Sequence, residues 1–117
     1  MKKHQGMTLK TAPDKSAIIR LYEAVVGCLE SAQQAHINGN EDQAKQQTDQ
    51  AMSAILALDS MLDTKHGGVV AKKIKQLYSD AQKELTCFKV DFEPDHLEPV
   101  LRRFRQLSNS WKAVAWE

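Results

Sequence analysis

The 117-residue sequence predicts an all-α protein, an antiparallel up-down-up-down four-helix bundle behind a flexible N-terminal arm. Three observations predict it. Ala, Leu, Gln, Lys and Glu dominate, while proline occurs three times and glycine five, a balance that favours helix interiors. Four segments repeat apolar residues at alternating spacings of three and four, each marking one face of a helix. The breaks between them are short, which makes consecutive helices run antiparallel. A chain of this length can bury roughly two thirds of its unfolded surface in a single core, so one domain is expected.

Residues 1–10 carry no periodicity and are expected to form the arm, with the bundle domain spanning 11–117. "TAPDK" opens the first helix: Thr11 can cap with Asp14 three residues on, and Pro13 suits the first turn. Ile18, Tyr22, Val25, Leu29 and Ala32 form its stripe, and Gly39 in "HINGN" supplies a left-handed cap. Asn40 with Gln43 then resembles a capping box. The second helix has Ala44, Thr48, Ala51, Ile55, Leu58 and Leu62 on one stripe and stops near Asp63. After Gly67 and Gly68, the residues Val70, Ile74, Leu77, Ala81, Leu85 and Phe88 line a third helix, which leaves His66 in a turn. "KVDFEPD" reads as a seven-residue link to the fourth helix. There Asp95 and Glu98 form a capping pattern, Pro99 falls in or near the first turn, and Leu97, Val100, Phe104, Leu107, Trp111 and Val114 make the stripe.

Composition excludes several functions. Lys plus Arg (16) nearly balances Asp plus Glu (15), which leaves no electrostatic footprint for nucleic acid. No apolar run approaches the ~18 residues of a membrane span, so no membrane insertion is expected. The start, "MKKHQGMTLK", lacks the apolar core of a secretory signal. Cys28 and Cys87 read as buried thiols in a reducing compartment rather than a disulfide framework.

Catalytic chemistry finds little footing, and neither an enzymatic activity nor a cofactor is expected. Glu93-Pro-Asp-His96 has the Glu-x-x-His spacing of di-iron bundles, but it occurs once and sits at a proline-containing helix start. Asp63 and His66 add only a loop pair, so no metal is expected. Lys65-His66-Gly67-Gly68 superficially resembles a histidine phosphotransfer site, although the glycines would end any helix carrying His66. Neither cysteine has a clear histidine and amide partner set, and there is no Gly-x-Ser-x-Gly elbow or phosphate loop.

One feature exceeds what a core requires. Ile18, Ile19, Leu21, Tyr22, Ala24, Val25, Val26, Cys28 and Leu29 cover an arc of about 220° around the first helix, against the ~100° of an ordinary stripe. Ile19 and Val26, seven residues apart, share one border of it. Such an arc marks either an unusually enclosed helix, a dimer surface or a groove for an apolar partner. Periodicity does not separate them.

"GGVVAKKIKQLY" resembles the start of the third helix in the FliS family, the flagellin-specific export chaperones of bacteria. Gly67, Gly68, Val70, Ala71, Ile74, Leu77 and Tyr78 fall on that family's two glycines, aliphatic-alanine pair and Leu-x-x-Leu-Tyr. "LYEAVV" is similar to its Leu-Tyr-Asp-Gly-aliphatic segment, "TAPDK" to its Ser-Pro-Glu-Lys-like helix start, and Trp111 to a tryptophan late in the fourth helix. The likeness runs from Thr11 to about Val114. It departs at Ala24, Asp80 and Phe88-Lys89, and residues 1–10 lack the tyrosine usual in the arm.

The resemblance implies a cytoplasmic chaperone that binds the disordered C-terminal segment of flagellin. It would prevent premature polymerisation and support export by the flagellar type III apparatus, an indirect partner. With the apolar arc, it points to Ile19, Tyr22 and Val26 on the first helix and Ile74 and Tyr78 on the third as partner-binding residues. A homodimer in the free state is compatible with the excess apolar surface. The competing readings are a phosphotransfer module using His66 and a structural bundle that dimerises.

Overall fold

The first helix, α1 (Lys15–Ile37), ends where Gly39 takes a φ of +78°, which a residue with a Cβ rarely adopts. Gly39 N–H donates to His36 O at 3.0 Å and Asn40 N–H to Ala35 O at 2.8 Å, the paired bonds of a Schellman ending. The same Asn40 starts α2 (Glu41–Ser60), its Oδ1 accepting from Gln43 N–H at 3.1 Å. The capping box is thus half formed, because Ala35 O already takes the Asn40 N–H that the Gln43 side chain would have accepted. The computed structural model describes residues 15–113. The expected arm, the Thr11–Asp14 cap with Pro13, and Val114 lie outside the described residues.

Helix α3 (Thr64–Asp91) begins before the glycines rather than after them. Asp63 caps it, with Oδ1 accepting from Lys65 N–H and His66 N–H at 3.1 Å each. This first turn, which holds His66, is separated from the long remainder by a break at Gly68 (φ 61°, ψ −138°). The two glycines do different work. Gly68 supplies a conformation closed to other residues, whereas a Cβ on Gly67 would sit 2.5 Å from the Ala71 Cβ. Gly68→Ala is therefore expected to cost about 1–3 kcal/mol, measured by urea unfolding.

The link to α4 (Pro94–Ala113) is two residues, not seven. Helix α3 runs on to Asp91, Phe92 turns the chain in the left-handed region (φ 55°), and Pro94 opens α4. A proline in the first helical position costs nothing, since its missing N–H would have no partner there. Asp95 and Glu98 consequently lie inside α4 rather than at its cap, and Pro99 lies further in still. The Phe92 ring stacks on His36 (6.0 Å, 5°) and meets Phe88 edge-on (5.6 Å), contacts that offset the backbone strain.

Helix α1 packs against α2 and α4, and α3 closes the square against the same two helices. This is the antiparallel four-helix bundle that the sequence predicts. The expected stripes of α1 and α2 are buried from Ile18 to Ala32 and from Ala44 to Leu58, and Phe104 of α4 is fully enclosed. On α3 the stripe is rotated at its start. Ala71 and Tyr78 are buried, Ile74 and Leu77 are half-buried, and Val70 is 66% exposed.

The wide arc of α1 is partly enclosed from two sides, while Ala24 within it is exposed. Leu21 and Cys28 are half-buried, with the Cys28 thiol 3.7 Å from Gln50 Oε1 of α2. On the other flank Val26 is half-buried beside α4, where Lys112 pairs with Glu23 at 2.8 Å and Arg105 with Glu30 at 2.7 Å. Ile19, one turn before Glu23, is also half-buried. Of the two thiols, burial raises the Cys28 pKa, but Cys87 is exposed, contrary to expectation.

Candidate functional site

At the end of the bundle where α1 and α3 begin and α2 and α4 finish lies an apolar cleft of about 380 Å³. Ile18 and Tyr22 line it from α1, and Leu58, Met61 and Leu62 from the end of α2 and the following loop. Val70, Ala71, Ile74 and Tyr78 of α3 and Trp111 of α4 complete the walls. The break at Gly68 shapes this opening, because it turns Val69 and Val70 outward at 68% and 66% exposure.

The floor is aromatic. Tyr22 and Tyr78 are buried on diagonally opposite helices, and their hydroxyls meet at 2.5 Å across the core. Phe104 fills the space beneath both rings, with centroids at 5.8 and 6.0 Å. Trp111, half-buried, stacks on Tyr22 at 6.2 Å. Burial raises both phenol pKa values, and the hydrogen bond from Tyr22 raises that of Tyr78 further. Both hydroxyls therefore stay neutral through the physiological range.

One edge of the cleft is charged. Asp63 Oδ2 lies 2.7 Å from His66 Nδ1, and that hydrogen bond is the main reason the Asp63 carboxyl pKa falls. The His66 side chain is 84% exposed and lines the rim. Its Nδ1 is held by Asp63, which leaves Nε2 as the ring nitrogen without a partner among the described residues.

Of the residues picked from sequence, Tyr22, Ile74 and Tyr78 converge on this cleft. Ile19 does not line it, and Val26 lines a separate groove of about 310 Å³ between α1 and α4, beneath the Glu23 and Glu30 ion pairs. Sequence reasoning treated Leu58 and Leu62 as core and passed over Met61. The available signal was a pair of large apolar residues, Met61 and Leu62, directly after a helix end and ahead of two glycines.

The opposite end carries the other histidine cluster. The His96 side chain does not pair with the Glu93 carboxylate. Its Nδ1 lies 3.0 Å from Glu84 Oε1 and its Nε2 3.1 Å from Asp91 Oδ2, tying the start of α4 to α3. Among the described residues, no group of three His, Cys, Asp or Glu side chains is arranged to hold a metal. The Glu84 hydrogen bond and the Asp91 charge raise the His96 pKa above its usual value. A raised folded-state pKa means that the stabilisation is full below about pH 6.5 and is lost as pH rises through the raised value. The melting-temperature gap between the native protein and His96→Gln is thus expected to be widest near pH 6 and to close by pH 9.

Among the described residues, no helix is long and apolar enough to cross a membrane. No curated protein matches the chain. The family model described as "Flagellar protein FliS" matches residues 1–117, the whole chain. The chain, a four-helix bundle, thus belongs to the FliS family, the flagellin export chaperones.

Proposed function

We propose that the cleft receives apolar residues from the disordered C-terminal segment of flagellin, which the chaperone holds in the cytoplasm until export. The observation that carries this reading is the apolar cleft itself, open at a bundle end with Val69 and Val70 exposed beside it. Exposed apolar patches of this kind mark interaction sites. Covering the segment's apolar face keeps it from pairing with other flagellin subunits, and passage to the type III export apparatus follows release. Tyr22, Ile74 and Tyr78 form the primary contact region, and Ile19 and Val26 extend it along the α1–α4 flank.

A client that orders on binding loses conformational entropy, so a large interface yields moderate affinity. That suits a cargo that must be handed on. Titrating the C-terminal segment of a flagellin from the source organism into the protein is expected to give one-to-one binding, a gain in helical circular dichroism and a negative heat-capacity change. Absence of binding to every flagellin tail from that organism would overturn the assignment.

A further inference from the structure

The buried Tyr22–Tyr78 pair carries more hydrogen-bond donors than it can satisfy. Each phenol has one proton, and the two oxygens share a single contact at 2.5 Å, so only one proton is used between them. The second has no acceptor among the described residues. The nearby Asp59 acts on Tyr78 through its charge, but both of its oxygens lie 3.0 Å from Lys75 Nζ. Trp111 is a donor only, so its hydrogen bond to Tyr22 takes up an oxygen lone pair there and offers the phenols no acceptor. Tyr22 and Tyr78 are 1% and 3% exposed, yet both line the cleft, whose walls are otherwise apolar at this depth.

We infer that the cleft selects, within an apolar segment of a partner polypeptide, one neutral carbonyl oxygen that accepts the spare phenolic proton of the Tyr22–Tyr78 pair. Where solvent reaches the cleft, it can satisfy that proton. An occupant that expels solvent leaves a buried donor unpaired unless it brings an acceptor. A carboxylate is the wrong acceptor, because it would have to shed its hydration between largely apolar walls. A main-chain or carboxamide carbonyl meets the requirement without a charge. This deepens the proposed function by naming the chemistry of the occupant, and it rests on that reading for the identity of the polypeptide.

The test separates the two. Cyclohexanone and methylenecyclohexane have nearly the same shape, fit a cleft of about 380 Å³, and differ in one carbonyl oxygen. Their affinities are measured by methyl shifts of Val70 and Ile74 in the native protein and in Tyr22→Phe/Tyr78→Phe. The affinity of the ketone relative to the hydrocarbon is expected to fall roughly tenfold in the double variant, the worth of one good hydrogen bond. Each single Phe variant leaves one phenolic proton and is expected to keep most of the preference. A ratio unchanged in the double variant overturns the inference, as does failure of both probes to shift the cleft methyls of the native protein. The native-protein measurement stands even if the double variant is destabilised. Failure of the flagellin tail to bind, with the fragment ratio as expected, sinks the chaperone reading and leaves the donor site in place.

Discussion

Tyr78→Ala is expected to cost roughly 3–5 kcal/mol of stability, the range for large aromatic truncations in cores. Tyr78 is 3% exposed, lies against Phe104 at 6.0 Å, and hydrogen-bonds to Tyr22 across the diagonal of the bundle. Truncation removes the ring and also strands the Tyr22 hydroxyl without its partner, two losses that add. Against the usual total of about 5–15 kcal/mol, such a loss brings the domain close to unfolding. Guanidinium unfolding followed by far-ultraviolet circular dichroism provides the measurement. A loss under about 1 kcal/mol would place Tyr78 at the surface. Loss of flagellin binding in this variant would say little about contact, since an unfolded chaperone binds nothing specifically.

Val70→Asp is expected to weaken binding of a flagellin C-terminal segment by roughly 30-fold or more, the scale of an interface hot spot. Its melting temperature is expected to stay within about 3 °C of the native protein, because exposed substitutions usually cost little. Val70 is 66% exposed and forms part of the cleft wall, so a carboxylate there meets the occupant rather than the core. Calorimetric titration and a thermal melt on the same sample decide the matter. Normal affinity in a folded Val70→Asp variant would confine the client site to the α1–α4 groove around Val26 or move it to the α3–α4 groove floored by Leu77, Ala81, Val100 and Phe104.

The sequence by itself determined four helices, their order and their antiparallel course. Apolar spacing reports which face of a helix must leave water, and Gly39 and Asn40 report where helices stop and start. It also carried the family, through short patterns in fixed order along nearly the whole chain. The α3–α4 link is shorter than the seven residues expected, because Pro94 fits a first helical turn and Phe92, rather than a glycine, takes the left-handed turn.

Only the tertiary structure decided which apolar residues are core and which are available. Val70 and Tyr78 both lie near one helical stripe, but the break at Gly68 turns Val70 outward, while Tyr78 reaches Tyr22 across the bundle. Val26 faces α4, where Lys112 and Arg105 pair with Glu23 and Glu30, a placement that the α1 periodicity does not give. Periodicity gives directions around one axis. Exposure and the meeting of two phenols depend on where the neighbouring axes lie, which no single helix encodes.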